Sequence, residues 1–460
     1  MRIHCELVER VLGIRRIFNA NVYAAKIMNT TSESMISQKL RTAGPFGFSA
    51  WCIAAAFITY FCMYAFRKPF TAGTFEGTAL PGNFLSDIGY KTILVTAQIV
   101  GYTLSKFLGI KFVSEMPATR RVIGILTLIG IAELALLLFA VTPPPWNFVW
   151  LFFNGLPLGM VFGLVLSFLE GRQLTEALAA GLCASFIWAS GVVKTVGRVL
   201  IVDYQVSEFR MPFYTGLLFI VPLLIGVWML SQIPHPSEED IALRSKRPPM
   251  TRDERRAFLK RHALGLSGLL FVFVLLTVMR SIRDDFAVEI WRDLGIGEEP
   301  SVFAKSELWI TVIVTVVSGA AILISNNRRA FLTSLGLVAA GFVLVLVSLA
   351  GHSAGMIGAF PYMVLLGLGL YVPYVVFHTT IFERLIAASQ ETGNLGYLMY
   401  LADSLGYLGY IIVMVLRSWL SEDLNFLQLM NTASALIAVT SLVVLIFVTI
   451  HYARRLPRAM

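Results

Sequence analysis

Residues 46–70 read FGFSAWCIAAAFITYFCMYAFRKPF, an apolar run that ends in two adjacent positive charges and a proline. A helix needs about 20 apolar residues to cross a bilayer, so this run is long enough. Placing one Lys or Arg in hydrocarbon costs roughly 2.5–3.5 kcal/mol, so Arg67 and Lys68 require a polar environment. Both side chains either reach the headgroups as an interfacial anchor or form half of an anion-binding site.

Composition extends the membrane interpretation to the whole chain. Hydrophobic residues make up 57% of it and charged residues 14%, whereas soluble domains carry about 25% charged residues. Continuous apolar segments of this length cross a bilayer as helices. We therefore predict an all-α integral membrane protein with twelve transmembrane helices in two six-helix, pseudo-symmetric bundles. The approximate spans are 46–72, 92–113, 122–142, 147–169, 177–202, 211–232, 263–289, 302–325, 331–350, 355–378, 394–416 and 429–450.

The longest internal polar stretch divides these spans six and six. It is rich in Arg and Lys and is broken by Pro248-Pro249, so we expect short surface helices in it. Met28 and Met35 are alternative starts to Met1. The predicted organisation is a basic N-terminal segment at 1–45, a first bundle at 46–232, a central loop at 233–262, a second bundle at 263–450 and a tail at 451–460.

The distribution of basic residues predicts the orientation. With both termini and the central loop in the cytoplasm, most Lys and Arg outside the spans fall on that side, as the positive-inside rule requires. The net charge of +9 then reflects topology, and no nucleic-acid partner is expected. We predict a monomer in the cytoplasmic (inner) membrane, whose partners are the lipid bilayer and a small anionic substrate. The basic residues outside the spans on the opposite side are Lys91, Arg210, Arg292, Lys305 and Arg417.

The halves resemble each other. Span four carries Gly155, Pro157 and Gly159, and span ten carries Gly367 and Gly369. Repeats of this kind place a binding site at their interface, near the middle of the membrane.

Charged groups inside the spans mark that interface, because at about 3 kcal/mol each they must face water, a partner or the bundle interior. Glu133 in span three breaks the pattern, and the sequence assigns it no role. The basic groups are Arg67, Lys68, Lys106, Lys194, Arg198, Arg280 and Arg283, and the other acidic groups are Asp284, Asp285, Glu289 and Asp403.

Helical spacing groups some of these residues with tyrosines. Tyr102 and Lys106 share one face of span two, and Tyr371 and Tyr374 lie on one side of span ten. Polar and aromatic stripes on apolar helices favour a water-filled cavity, although packing is the alternative for the tyrosines. His378, near the predicted cytoplasmic end of span ten, is expected to be interfacial rather than a proton carrier.

Motifs of soluble enzymes are not found. The sequence has no nucleotide-binding loop, no nucleophile elbow and no zinc spacing among its four cysteines. We therefore expect no catalytic residue, no metal and no cofactor, and any transport would be driven by a gradient or by exchange.

Three stretches carry a family resemblance. Tyr64-Ala65-Phe66-Arg67-Lys68-Pro69-Phe70 is similar to a Tyr-x-x-Arg-Lys-x-Phe signature, 102–109 is similar to a Tyr-x-x-Ser-Lys-Phe pattern, and Arg280 is followed by Asp285. These resemble the organophosphate–phosphate exchanger group of the major facilitator superfamily, and the chain also resembles a bacterial branch of that superfamily. The resemblance implies that Arg67 and Arg280 face each other at the base of a pore and hold a phosphate, assisted by Lys106.

The chain departs from that group in span five, where the group's histidine has no counterpart and Lys194 lies nearby instead. We therefore expect an anionic substrate that is not restricted to organophosphates. The function predicted is secondary active transport of a small organic or phosphorylated anion by alternating access, through exchange or proton coupling. The alternative is a transporter-like sensor that binds an anionic metabolite without moving it.

Two sets of candidate residues follow from these arguments. The substrate-binding set is Arg67, Lys106, Arg280, Lys68, Tyr102, Lys194, Tyr371 and Tyr374. The coupling or charge-pairing set is Asp284, Asp285, Asp403 and Arg283.

Overall fold

Helices make up almost all of the computed structural model of the chain. The predicted N-terminal segment up to residue 33 and the central loop over 235–251 lie outside the described residues. The structure describes residues 34–78, 89–169, 175–234, 252–296, 299–322, 324–389, 395–417 and 426–457.

The first half contains a short helix followed by six long ones. A 3₁₀ turn over Pro69–Ala72 follows the first long helix. In chain order the helices are α1 (Met35–Thr42), α2 (Pro45–Arg67), α3 (Tyr90–Glu115), α4 (Ala118–Val141), α5 (Phe148–Leu166), α6 (Thr175–Val202) and α7 (Met211–Ser231).

The described part of the second half also has a short helix followed by six long ones, with two further short helices among them. A π-helical turn over Phe377–Ile381 connects two of its helices without a break. The helices are α8 (Arg252–Arg261), α9 (Ala263–Asp285), α10 (Ala287–Asp293), α11 (Ser301–Ile322), α12 (Asn327–Ser353), α13 (Ala359–Val376), α14 (Phe382–Ser389), α15 (Leu395–Arg417) and α16 (Phe426–Arg455).

The long helices correspond to the predicted spans. Within the described ranges, eleven helices are long and apolar enough to cross a membrane, judged by length and composition. Helix α3 is of comparable length, with 26 residues, and carries Lys91 and Lys106 along it. The predicted seventh span differs in one respect, because α9 ends at Asp285 and the chain bends at Phe286 before α10.

Packing between helices follows the same plan in both halves. Helix α2 packs on α6 and α7, and its counterpart α9 packs on α15 and α16. The pairs α3–α5 and α4–α5 likewise correspond to α11–α13 and α12–α13. The two halves meet mainly through α3 against α15 and α6 against α11. We call the face on which α2 begins the amino face, and the face on which α2 and α9 end the distal face.

Glycines set the distance between α3 and α5. A Cβ atom on Gly155 would lie 2.1 Å from the carbonyl oxygen of Gln98, and one on Gly101 would lie 2.1 Å from that of Phe152. Real Cβ atoms do not approach so closely, so only glycine lets these two backbones touch. This contact brings the polar residues of α3 and α5 together under the end of α2.

Candidate functional site

Arg67 occupies the last position of α2. Pro69 has no N–H to continue the helical hydrogen bonds, so the helix stops there and leaves carbonyl groups without helical partners. Asn154 on α5 donates to the carbonyl of Phe66 at 2.8 Å. Gln98 on α3 donates to the carbonyl of Arg67 and, at 2.8 Å, to the side-chain oxygen of Asn154. These bonds fix the backbone from which the Arg67 side chain projects.

The guanidinium of Arg67 is surrounded by tyrosine rings. Its central carbon lies 3.7 Å from the centre of the Tyr102 ring, 5.6 Å from Tyr64 and 6.0 Å from Tyr407. The residue is 3% exposed, and no carboxylate in the described part of the chain pairs with it. Aromatic faces and the carboxyl end of α2 therefore provide its nearest electrostatic compensation.

Arg280 has the same kind of surroundings in the second half. Its guanidinium carbon lies 4.3 Å from the ring centre of Tyr374 and 6.0 Å from that of Tyr371. The side chain is 6% exposed and donates a long hydrogen bond of 3.4 Å to the Ser281 hydroxyl. Among the described residues it too has no carboxylate partner.

Tyrosine rings connect the two arginines across the interface of the halves. Tyr102 of α3 and Tyr407 of α15 meet edge to face, with 5.0 Å between ring centres. Tyr64 and Tyr407 are each close enough to Arg67 and to Arg280 to interact with both positive charges. Two buried cations from opposite halves thus share one tyrosine-lined region.

Lys106 lies one helical turn from Tyr102 towards the amino face and bridges the halves. Its ammonium is 3.0 Å from Oδ2 of Asp403 on α15 and 5.4 Å from the Tyr102 ring. His378 contacts the other oxygen of Asp403, with 3.1 Å between Nε2 and Oδ1. His378, which the sequence predicts to be interfacial, is 8% exposed and forms part of this cluster.

Further ion pairs join the halves towards the distal face. Lys68 pairs with Asp285 and lies 3.4 Å from Oδ2 of Asp284. Lys194 of α6 is 2.5 Å from Oδ1 of Asp284, and the hydroxyl of Tyr410 donates to Asp285 at 3.0 Å. All of the charged partners are buried, so these contacts close the interface just beyond Arg67.

Lys91 and Glu289 form another bridge at the distal face. The ammonium of Lys91 is 2.7 and 2.8 Å from the two carboxylate oxygens of Glu289 and donates to the carbonyl of Thr71 at 2.9 Å. Nearby, Arg292 and Glu76 form an exposed pair, and a cavity of about 410 Å³ lies between these two bridges. Hydrogen bonding to Glu76 raises the pKa of Arg292 above its ordinary value.

Arg283 differs from the lysines that bridge the halves because its carboxylate partner belongs to its own half. It lies 2.7 Å from Oε1 of Glu307 on α11 and donates to the carbonyl of Met363 at 3.1 Å. Its charge is therefore engaged inside the second bundle.

Comparison with known proteins assigns the family. The family described as "Family of unknown function (DUF5690)" matches residues 69–455. The chain belongs to the DUF5690 family. No curated protein matches this DUF5690 chain.

Solved structures assign the fold. A D-xylose-proton symporter is 14% identical with a TM-score of 0.55, and the alignment covers 86% of this chain and 97% of the symporter. A nucleoside transporter, NupG, is also 14% identical with a TM-score of 0.54, over 88% of this chain and 99% of that protein. The DUF5690 chain therefore has the major facilitator fold, a multi-pass membrane fold.

The structure separates the sequence-predicted residues of this DUF5690 protein into two groups. One group lies at the tyrosine-lined region, namely Arg67, Arg280, Tyr102, Tyr371 and Tyr374. The other group is already joined in ion pairs, namely Lys68, Lys106, Lys194, Arg283, Asp284, Asp285 and Asp403.

Some residues of the site did not emerge from sequence reasoning. Asn154 is the clearest, and it is the one amide side chain within the otherwise apolar stretch 148–166. Tyr407 is a second residue of the site that is absent from the sequence-predicted set. Glu133 packs elsewhere, against Gly216 of α7. Within the described residues, no group of three His, Cys, Asp or Glu could hold a metal ion.

Proposed function

We propose that the protein is a secondary active transporter that moves a small organic or phosphorylated anion across the cytoplasmic membrane. The observation that carries this proposal is the pair Arg67 and Arg280, which are buried, come from opposite halves and lack a carboxylate partner among the described residues. Every other buried Lys or Arg among the described residues has a carboxylate partner.

The contrast with the paired residues supports an external ligand. Burying an isolated charge is costly, and proteins compensate buried charges with partners. This fold supplies carboxylates to Lys68, Lys91, Lys106, Lys194 and Arg283, so it has the means to neutralise its buried cations. Two guanidiniums without a carboxylate are suited to an anion that comes from outside the chain, and their planar geometry favours bidentate binding of phosphate or carboxylate.

In the proposed mechanism, the anion crosses the membrane by alternating access, in which the site opens to one side of the membrane at a time. In the conformation described, the arginines are enclosed, and ion pairs between the halves lie beyond them at the distal face. A rocking movement that separates Lys68 from Asp285, and Lys91 from Glu289, would open the site to that side. We place the amino face in the cytoplasm, in accordance with the distribution of basic residues.

Substitution of the arginines tests the proposal. The purified protein is screened by thermal shift against phosphorylated and carboxylated metabolites, and the best binder is then used for uptake into proteoliposomes. Arg67→Lys and Arg280→Lys keep the positive charge but lose the planar guanidinium that binds an anion through two hydrogen bonds. Each substitution is therefore expected to reduce uptake by at least tenfold. Arg210→Lys, an exposed arginine, is the matched control and should transport normally.

Three outcomes are informative. Normal uptake by both site variants would show that the guanidinium pair does not bind the substrate. Binding of an anion to the wild type with no uptake under any gradient would favour the sensor. Absence of both binding and uptake across the screen would contradict an anion site altogether.

A further inference from the structure

We propose that His378 and Asp403 form a proton-binding site that couples anion movement to protons. This inference deepens the proposed transport function and rests on it. It concerns the mode of coupling, for which the arginine site alone leaves exchange and proton symport open.

Each ring nitrogen of His378 lies close to an oxygen atom. Nδ1 lies 2.9 Å from the main-chain carbonyl oxygen of Tyr374, which can only accept a hydrogen bond. Nε2 lies 3.1 Å from Oδ1 of Asp403. A neutral imidazole carries only one N–H, so both contacts are hydrogen bonds only when a second proton lies between Nε2 and the carboxylate. In the proposed proton-loaded state, the pair holds one proton more than a neutral histidine and an ionised aspartate.

The surroundings of Asp403 favour that proton on the imidazole. Lys106 lies 3.0 Å from Oδ2 of Asp403 and favours the ionised carboxylate. Cations of Lys106 and His378 then flank one aspartate, and the cluster carries one net positive charge. The titratable and charged groups around it are Asp403 and Tyr407 on α15, Lys106 on α3, Arg280 on α9, Tyr374 on α13 and Cys183 on α6.

The cluster lies beside the proposed anion site. The Tyr374 ring is tilted against the His378 ring with 4.4 Å between ring centres, and its centre lies 4.3 Å from the guanidinium carbon of Arg280. His378 lies in the π-helical turn Phe377–Ile381, a local geometry that is frequent at functional sites. A proton on His378 thus adds positive charge on one side of the Tyr374 ring, and Arg280 contacts the same ring.

Coupling follows from linkage between the two sites. A bound anion favours the protonated cluster, and by reciprocity a protonated cluster favours the anion. One proton would enter with the anion and leave with it on the other side, with no further reactant. Loss of the His378 charge is expected to weaken anion binding about tenfold, within the usual range of coupling between sites.

The first experiment reads the proton directly and needs no substrate. Nitrogen-15 NMR of histidine-labelled protein, with the His378 signals assigned from His378→Gln, should show both ring nitrogens protonated at pH 7. Asp403→Asn should return His378 to a single N–H. A singly protonated His378 in the wild type would overturn the proton site, whatever the transport assays show.

The second experiment separates coupling from transport, with radiolabelled inorganic phosphate as the probe. In proteoliposomes, counterflow at equal pH reports binding and movement, and accumulation driven by an inside-alkaline gradient reports proton coupling. His378→Gln should abolish gradient-driven accumulation while counterflow persists, at an affinity reduced about tenfold. His352→Gln, a histidine at the distal end of α12, should behave as the wild type.

The outcomes distinguish the two proposals. Counterflow by the wild type with no response to the pH gradient, or accumulation by His378→Gln equal to the wild type, would overturn proton coupling and leave anion transport standing. No counterflow by the wild type, with phosphate and with every anion that binds in thermal shift, would overturn the transport function and the coupling with it.

Discussion

The guanidinium carbon of Arg67 lies 3.7 Å from the centre of the Tyr102 ring, so an aromatic face contacts a buried cation that has no carboxylate partner in the described ranges. Contacts of this kind contribute about 0.5–2 kcal/mol, and more when both groups are shielded from water. Without an added anion, the ring of Tyr102 is the closest compensating group for this charge.

Replacing that ring should therefore destabilise the protein in the absence of anion. Tyr102→Leu is expected to cost about 1–2 kcal/mol of stability, whereas Tyr102→Phe keeps the ring and should stay close to the wild type. Thermal unfolding without ligand measures the difference. Equal melting temperatures for the Leu and Phe variants would show that the ring does not stabilise the cation.

Asn154 is expected to hold the end of α2 in place. Its amide donates to the carbonyls of Phe66 at 2.8 Å and Ala132 at 3.0 Å. Asn154→Leu keeps the size but leaves buried acceptors unpaired, at a cost of about 1–3 kcal/mol for each group. Thermal unfolding should show a clear loss of stability, and uptake should fall because the Arg67 backbone loses its support.

The control for this substitution is Asn431→Leu. Asn431 is half-buried and accepts one hydrogen bond from the Tyr362 hydroxyl at 2.5 Å, so its loss should be smaller. An Asn154 variant that is no less stable than the Asn431 variant would contradict the role given to Asn154.

Close backbone contact makes Gly155 sensitive to a single methyl group. Gly155→Ala would place a Cβ 2.1 Å from the carbonyl oxygen of Gln98 and would force α3 and α5 apart. We expect a marked fall in folded yield, because overpacking typically costs about 1–3 kcal/mol and here the obstacle is backbone. Gly130→Ala is the matched control, since its Cβ would meet nothing within 4 Å. Similar yields of the two variants in size-exclusion chromatography would refute this packing.

The pair Lys91–Glu289 allows a test by exchange of charges. Removing one partner of a buried pair typically costs about 3–5 kcal/mol, since the other charge is left uncompensated. Lys91→Glu and Glu289→Lys should each lower stability and uptake. The double variant should recover a large part of both, because the pair is rebuilt with its ends reversed. Additive losses in a double-mutant cycle on melting temperature would show that the two side chains do not interact.

Much of the fold was predictable because the bilayer imposes it. Apolar length and the need to satisfy every backbone group fix the number and type of long helices, so α9 begins at the predicted residue 263. Its end was not predictable. The predicted span runs to 289, but Asp284 and Asp285 are held by Lys68 and Lys194 from the other half, and the chain bends after them.

The site was less predictable because pairing depends on topology. Lys91 and Glu289 are 198 residues apart, and spacing along the chain does not indicate that they meet. The apolar pattern of span ten ends at His378, which predicts an interfacial position for this residue. In the structure the helical path continues through the π turn and α14 to Ser389, which places His378 well inside the bundle.

The tyrosine rings beside Arg67 and Arg280 have a consequence for the proposed transport function. Two uncompensated cations in an empty binding site would oppose reorientation of an unloaded transporter, because buried charges without partners are costly. The rings of Tyr102 and Tyr374 lie against the two guanidiniums and offset part of their charge without a bound anion. For a transporter of the proposed kind, the unloaded protein then has a way to return, and net movement of substrate in one direction becomes accessible.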